Sequence, residues 1–143
     1  MSKPLLEGRK GHWDEPGVAL GPQPELLTSG DYLLIYNVDT GFPYRPNPIG
    51  RCAIGWAVLD GSRPTNTVSR SNAPLIIPTR PWETCEASNS RKSETCNVPQ
   101  VVFATGLKPL GNDTFLLFYG GADSVVGVSK IQVKSLTSSV ETA

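Results

Sequence analysis

Histidine is all but missing from this chain, and cysteine is scarce. His12 is the only histidine, and Cys52, Cys85 and Cys96 contain no Cys-x-x-Cys pair. A zinc site needs four ligands at workable spacing, so no metal centre is expected. No sign of charge prevails: Lys+Arg 13 balance Asp+Glu 13, with a pI near 6.6. That balance excludes a dedicated nucleic-acid binder and a polybasic membrane-surface anchor. Also missing is any apolar run near the ~18 residues of a membrane span. The opening Met-Ser-Lys-Pro-Leu-Leu-Glu-Gly lacks the apolar centre of a secretory leader. The expected compartment is cytoplasmic by default, or secreted if the natural start lies upstream of Met1. Helical periodicity does not persist beyond one or two turns anywhere.

What is present is a 143-residue chain, the size of one ordinary domain. Gly 14 and Pro 13 are spread along its whole length, which disfavours a helical bundle. Charged residues are 18% and apolar residues 38%, the balance of a folded protein. Aromatic and β-branched stretches separated by turn chemistry predict strands at 32–36, 52–59, 68–70, 75–77, 101–107, 114–119 and 125–133. Gly111-Asn112-Asp113 is a hairpin turn signal, and Gly120 to Ser124 a tight break. Residues 1–24 are polar and rich in Gly and Pro, 37–50 read as a proline-rich loop, 78–98 as the least structured stretch, and 134–143 as a frayed tail. The fold class is all-β with little or no helix.

A faint repeat accompanies this pattern. Ser29-Gly30-Asp31-Tyr32-Leu33-Leu34-Ile35-Tyr36 is echoed by Gly111-Asn112-Asp113-Thr114-Phe115-Leu116-Leu117-Phe118-Tyr119. Such echoes arise in propeller blades and stacked hairpins, and in any hairpin-rich protein. Cys85 and Cys96 flank the polar segment 86–95. They are either a disulfide stapling that loop or two unpaired thiols. Cys52 opens an apolar strand and reads as a small buried hydrophobe.

An ordered series of motifs is more specific. It comprises Gly21-Pro22-Gln23-Pro24, Leu33-Leu34-Ile35-Tyr36, Ile54-Gly55-Trp56-Ala57-Val58-Leu59-Asp60, Val68-Ser69-Arg70-Ser71, Asn97-Val98-Pro99 and Leu116-Leu117-Phe118-Tyr119-Gly120-Gly121-Ala122-Asp123. Over residues 13–133 the series resembles the C-terminal half of family-130 glycoside hydrolases and phosphorylases. The resemblance implies about two to three blades of a five-bladed β-propeller, as a single incomplete domain over 1–143. It implies a carbohydrate partner, a β-linked mannoside or oligosaccharide, bound in the central funnel. The reaction implied is inverting cleavage, which needs one carboxylic acid and an attacking water or phosphate on the opposite face. No cofactor is implied. A homo-oligomer or missing N-terminal blades would complete the propeller.

The departures shape the expected chemistry. The family's general-acid aspartate lies in its N-terminal half, so no residue here inherits it, and this chain alone is expected to be inactive. Asn37 stands where the family carries a phosphate-binding histidine, and Cys52 where it carries a tyrosine. Both changes tilt the reading from phosphorolysis towards hydrolysis. A non-catalytic carbohydrate-binding or self-associating module is the rival. The resemblance makes Asp123 the first sugar-binding candidate, matching an aspartate that faces the sugar; a turn aspartate is the plain reading. Asn37 and Asp39 follow, where a strand ends at a proline-rich loop, a place where binding residues are usually found; an ordinary loop start is the plain reading. Arg51 and Arg45 are lone loop arginines that either hold an anionic or hydroxyl-rich ligand or are simply solvated. Trp56 reads as core more than as a sugar platform. Trp13 and Trp82, each followed by an acid, read as packing residues. Asp60 and Glu83 pair as acids only loosely.

Overall fold

The computed structural model describes residues 3–40, 50–86, 96–134 and 139–143. It is nearly all sheet. The first sheet holds β1 (Ala19–Leu20), β2 (Glu25–Leu26), β3 (Tyr32–Asp39), β4 (Cys52–Leu59) and β5 (Thr67–Arg70). One four-residue helix, α1 (Pro81–Thr84), precedes the second sheet. That sheet holds β6 (Val102–Gly111), β7 (Thr114–Gly121), β8 (Val125–Lys134) and β9 (Ser139–Thr142). All strand pairings within the sheets are antiparallel. Two such sheets packed through one core are the arrangement of a partial β-propeller.

The first sheet has order β1-β3-β4-β5, with β2 sharing the edge of β3 that β1 also uses. Pro22 and Pro24 lie between β1 and β2. Proline has no N–H to give a ladder, which accounts for an edge broken in two. The strand β4 is buried along its whole length, and β3 nearly so. Side chains alternate between two apolar layers. Leu33, Ile35, Ile54, Trp56 and Val58 join Phe115, Leu117, Tyr119 and Ile131 in the core between the sheets. Leu34, Tyr36, Val38, Ala57 and Leu59 face the other way, against Leu6, Trp13 and Val18. The polar opening segment is therefore a cover for the second face. Gly55 permits it: a Cβ there would lie 2.6 Å from the Tyr36 ring and 2.8 Å from Trp13.

The second sheet runs β6-β7-β8-β9. Its β6–β7 turn, Asn112-Asp113, is left-handed at both residues (φ 51° and 52°), and so is the β7–β8 turn, Ala122-Asp123 (both 51°). Two adjacent residues of that kind match the twist of a tight hairpin. The Asp113 carboxylate also accepts from Thr28 N (2.8 Å) and Thr28 Oγ1 (2.5 Å), pinning the turn to the first sheet.

Three expectations change. The loop expected from residue 37 begins later, because Asn37 to Asp39 pair with Cys52 to Ile54 as strand. Residues 75–77 form no strand; Ile76 makes one isolated bridge to Ile54. The tail expected to fray instead returns as β9, which pairs with β8 from Ile131 to Lys134 and buries Val140. Short polar Ser-Val-Glu-Thr carries too little apolar signal to be read alone.

At the seam between the sheets one buried amide bridges β3 and β6. Asn37 is fully buried; its Nδ2 donates to Ala104 O (3.1 Å) and its Oδ1 accepts from Ala104 N (2.7 Å). The register of β6 against β7 shifts between Ala104 and Gly106. Asn37 thus satisfies both backbone groups that Ala104 turns away from its own sheet. Replacing Asn37 by Ala strands a donor and an acceptor in the core. The expected loss is about 3 kcal/mol of unfolding free energy. Urea unfolding monitored by circular dichroism checks it; a loss under about 0.5 kcal/mol would mean the seam does not depend on this amide.

Candidate functional site

One end of the molecule gathers the termini of four strands. Asp39 closes β3 opposite Cys52, the first residue of β4. Arg51 N and Cys52 N both donate to Gln100 O (2.9 and 3.2 Å). Cys52 bridges in parallel to Val101, whose carbonyl accepts from Ala122 N in the β7–β8 turn (3.0 Å). These backbone links bring the segments carrying Asp39, Arg51 and Asp123 to the same end as the buried Cys52. Burial first, then the charge of Asp39, push the Cys52 thiol up to about 11; Arg51 lowers it in part, and Asp123 adds the smallest upward push. Asp39 and Asp123 are exposed, and Arg51 is half-buried.

Three of the four sequence-derived residues are thus brought together, and Asn37 is not. Its amide is engaged on Ala104, two residues back from Asp39, with no exposure to solvent. Arg45 lies outside the described residues. Cys85 and Cys96 are joined by a disulfide with Cα atoms 5.8 Å apart. Trp56 belongs to the inter-sheet core. A cleft of about 400 Å³ opens beside it, between Asn72, Pro74 and the β9 residues Glu141 and Thr142. None of its lining residues belongs to the Asp39–Arg51–Asp123 group. Among the described residues, no cluster of three or more His, Cys, Asp or Glu is placed to hold a metal ion.

Two buried acids were missed or underrated by sequence. Asp14 is fully buried and accepts from Arg9 Nε (3.1 Å), Arg9 Nη2 (3.0 Å) and Tyr36 OH (3.0 Å), with Arg70 Nη2 at 2.6 Å. Burial pushes its carboxyl upward, but bonds from Arg9 and Tyr36 and the charges of Arg70 and Arg9 outweigh it, and the net shift is downward. A carboxylate held ionised by two guanidinium groups cannot serve as a proton donor near neutrality. Its work is structural: Arg9 Nη2 and Trp13 Nε1 also donate to Ser71 O, tying the covering segment to the end of β5. The adjacency of Trp13 and Asp14 was the only trace in the sequence.

Glu83 is the second. Its Oε2 accepts from Thr79 N (2.8 Å) and Arg80 N (2.9 Å), and its Oε1 accepts from Tyr119 OH (2.9 Å). The first pair caps α1, whose Pro81 needs no partner for a missing N–H. Burial and then the Glu83 carboxylate raise the Tyr119 phenol to about 12. Trp82 stacks on Tyr119 at 6.0 Å. Asp60 is a loop residue whose carboxylate accepts from Ser62 and Arg63.

Comparison with known proteins gives a concordant answer. A family model described as beta-1,4-mannooligosaccharide phosphorylase matches residues 1–142. The chain is 28% identical over 134 residues to a 1,2-beta-oligomannan phosphorylase of Thermoanaerobacter sp. (strain X514), covering 94% of this chain and 39% of the relative. The solved β-1,2-mannobiose phosphorylase of Listeria innocua, in complex with β-1,2-mannobiose, superposes with TM-score 0.70 at 28% identity, over 90% of this chain and 31% of that one. Another solved structure comes from work on how the GH130 family of mannoside phosphorylases contains glycoside hydrolases that target β-1,2 mannosidic linkages in Candida mannan. It matches with TM-score 0.68 at 26% identity, over 91% and 34% of the two chains. This chain therefore spans well under half the length of each of these relatives.

Two outcomes follow from the electrostatics. Cys52, buried and shifted up to about 11, should resist iodoacetamide at about pH 8 in the folded protein and react fully once unfolded. Mass spectrometry of the alkylated peptide checks this, and rapid native labelling would contradict the burial. Asp14 has a depressed folded value, so its contribution is complete above the ordinary carboxylate value of 3.8 and is lost as pH falls through the folded one. Stability should drop below about pH 4, and Asp14→Asn should flatten that drop. Urea midpoints measured down the acid range test it; an unchanged slope in the variant would place the acid sensitivity elsewhere.

Proposed function

The chain belongs to the family-130 glycoside hydrolases and phosphorylases, and from that membership we propose that the Asp39–Arg51–Asp123 end is its share of a β-mannoside-binding site. The observation that carries the reading is the convergence of the three segments that hold these charges, joined by the Asp39–Cys52 pairing, the Cys52–Val101 bridge and the Ala122 N bond to Val101 O. Ionised carboxylates accept hydrogen bonds from neighbouring sugar hydroxyls, and a guanidinium donates to them. Exposed acids at strand ends suit a ligand rich in hydroxyls better than an apolar one.

The activity proposed is β-mannoside binding without turnover by this chain alone. Both acids buried among the described residues are engaged: Asp14 by Arg9 and Arg70, Glu83 by the Thr79 and Arg80 amides and Tyr119. Neither is in a position to protonate a leaving oxygen, and inverting cleavage requires such an acid. For the longer protein of which such a unit forms part, hydrolysis is favoured over phosphorolysis. Asn37 supports this, since its amide is held on Ala104 and cannot reach an anion. The phosphorylase names of the relatives weigh the other way. The linkage follows the relatives, whose names specify β-1,2, over the β-1,4 of the family description.

Self-association is the second reading, favoured by one observation. On the outer face of the second sheet, Val126 is 80% exposed, Val128 52% and Phe118 36%. Phe118 pairs with Val128 across the strands, so the three form one apolar patch. Sedimentation that gives the monomer mass at all concentrations would sink this reading.

Calorimetric titration with β-1,2-mannobiose tests the main one. The expected result is saturable binding, no released sugar, and about tenfold or greater weakening in Asp123→Ala. Absence of binding to both β-1,2- and β-1,4-mannobiose would refute the site. Sugar released in water would overturn the inactivity, and sugar phosphate formed only with added phosphate would overturn the hydrolytic preference.

A further inference from the structure

The turn that carries Asp123 is held from outside its own hairpin. Asn97 Nδ2 donates to Asp123 O (2.9 Å), and Asn97 N donates to Ser124 Oγ (2.8 Å). Val98 N donates to Ala122 O (3.0 Å), while Ser124 Oγ donates to the same carbonyl (2.9 Å). A left-handed alanine followed by a left-handed aspartate is an unfavourable pair without glycine, so the turn needs such support. Asn97 follows Cys96, and Cys96 is bonded to Cys85 at the end of α1.

The helix at the far end of that link is itself fixed to the second sheet. Trp82 lies over Gly121 and Gly127, where a Cβ would come within 2.5 and 2.6 Å of its ring. Glu83 binds Tyr119 OH through its carboxylate, and its carbonyl accepts from Val101 N (3.3 Å). A continuous covalent and hydrogen-bonded path therefore runs from β7 through α1 and the disulfide to Asn97, and back to the turn at the end of β7. We infer that the Cys85–Cys96 disulfide and Asn97 are a positioning clamp that sets the Asp123 turn for ligand binding, and that opening the disulfide weakens the site.

The inference rests on the reading that Asp123 contacts the sugar. The opening step is a two-electron reduction. A dithiol supplies two electrons and two protons, the Cys85–Cys96 S–S bond becomes two thiols, and the dithiol closes to its own disulfide. Asn97 then loses its covalent tether to α1, and its bonds to Asp123 O and Ser124 Oγ are left to hold the turn without that anchor, beside the Ala122 N bond to Val101 O.

The test combines amide hydrogen exchange by NMR with β-1,2-mannobiose affinity, on the whole chain. Reduction by dithiothreitol, and separately Cys85→Ser with Cys96→Ser, should speed exchange at Asn97 and Val98 about tenfold or more. Exchange at Leu117 in the core should not change. Affinity should fall several-fold in parallel. Ser124→Ala, which removes the hydroxyl acceptor without touching the cysteines, should reproduce both effects, and Ser124→Thr should restore both. Unchanged exchange at Asn97 and Val98 after reduction would overturn the clamp. Faster exchange with unchanged affinity, where Asp123→Ala does weaken binding, would overturn its positioning role. If Asp123→Ala is equally silent, it is the sugar-site reading that has failed.

Discussion

An edge strand at the meeting of two sheets has backbone groups with nowhere to go, and everything at this site depends on how that is solved. Ala104 lies where β6 loses register with β7, and the Asn37 amide supplies both its partners from the facing strand. Gln100 O does the same work one step further along, accepting from Arg51 N and Cys52 N. These contacts fix β6 against β3 and β4, and the rim charges inherit their spacing from that fit. A change in the seam would move Asp123 relative to Asp39 without touching either residue.

The acids of this chain divide by their surroundings. Those inside, Asp14 and Glu83, are each met by several donors and hold pieces of backbone in place. Those at the rim, Asp39 and Asp123, face solvent. Burying a carboxylate without partners is costly, so these interior acids are met by donors and act as fasteners.

Legibility from sequence followed apolar density. The strands β3, β4, β7 and β8 were readable because aromatic and β-branched residues run together there. The opening segment was not, because its attachment rests on a few anchors, Leu6, Trp13 and Asp14, scattered among polar residues. Nor was β9, whose one buried apolar residue is Val140. The family motif pointed to Asp123 and the strand end to Asp39, but spacing alone could not join positions 84 residues apart, so that they share one end of the fold was not legible. Asn37 was misjudged for a physical reason: a polar residue at a strand position reads as exposed unless the facing backbone is known. Sequence left the state of Cys85 and Cys96 open, since proximity across an intervening loop is a tertiary fact.

The three tryptophans occupy three different joints. Trp13 stacks on Tyr36 at the cover of the first sheet, Trp82 on Tyr119 beneath α1, and Trp56 lies in the core between the sheets. Each indole is therefore a local optical label. Single-tryptophan variants would give separate emission signals for the opening segment, the helix that anchors the disulfide, and the seam. The order in which those three signals change during unfolding would show which joint yields first.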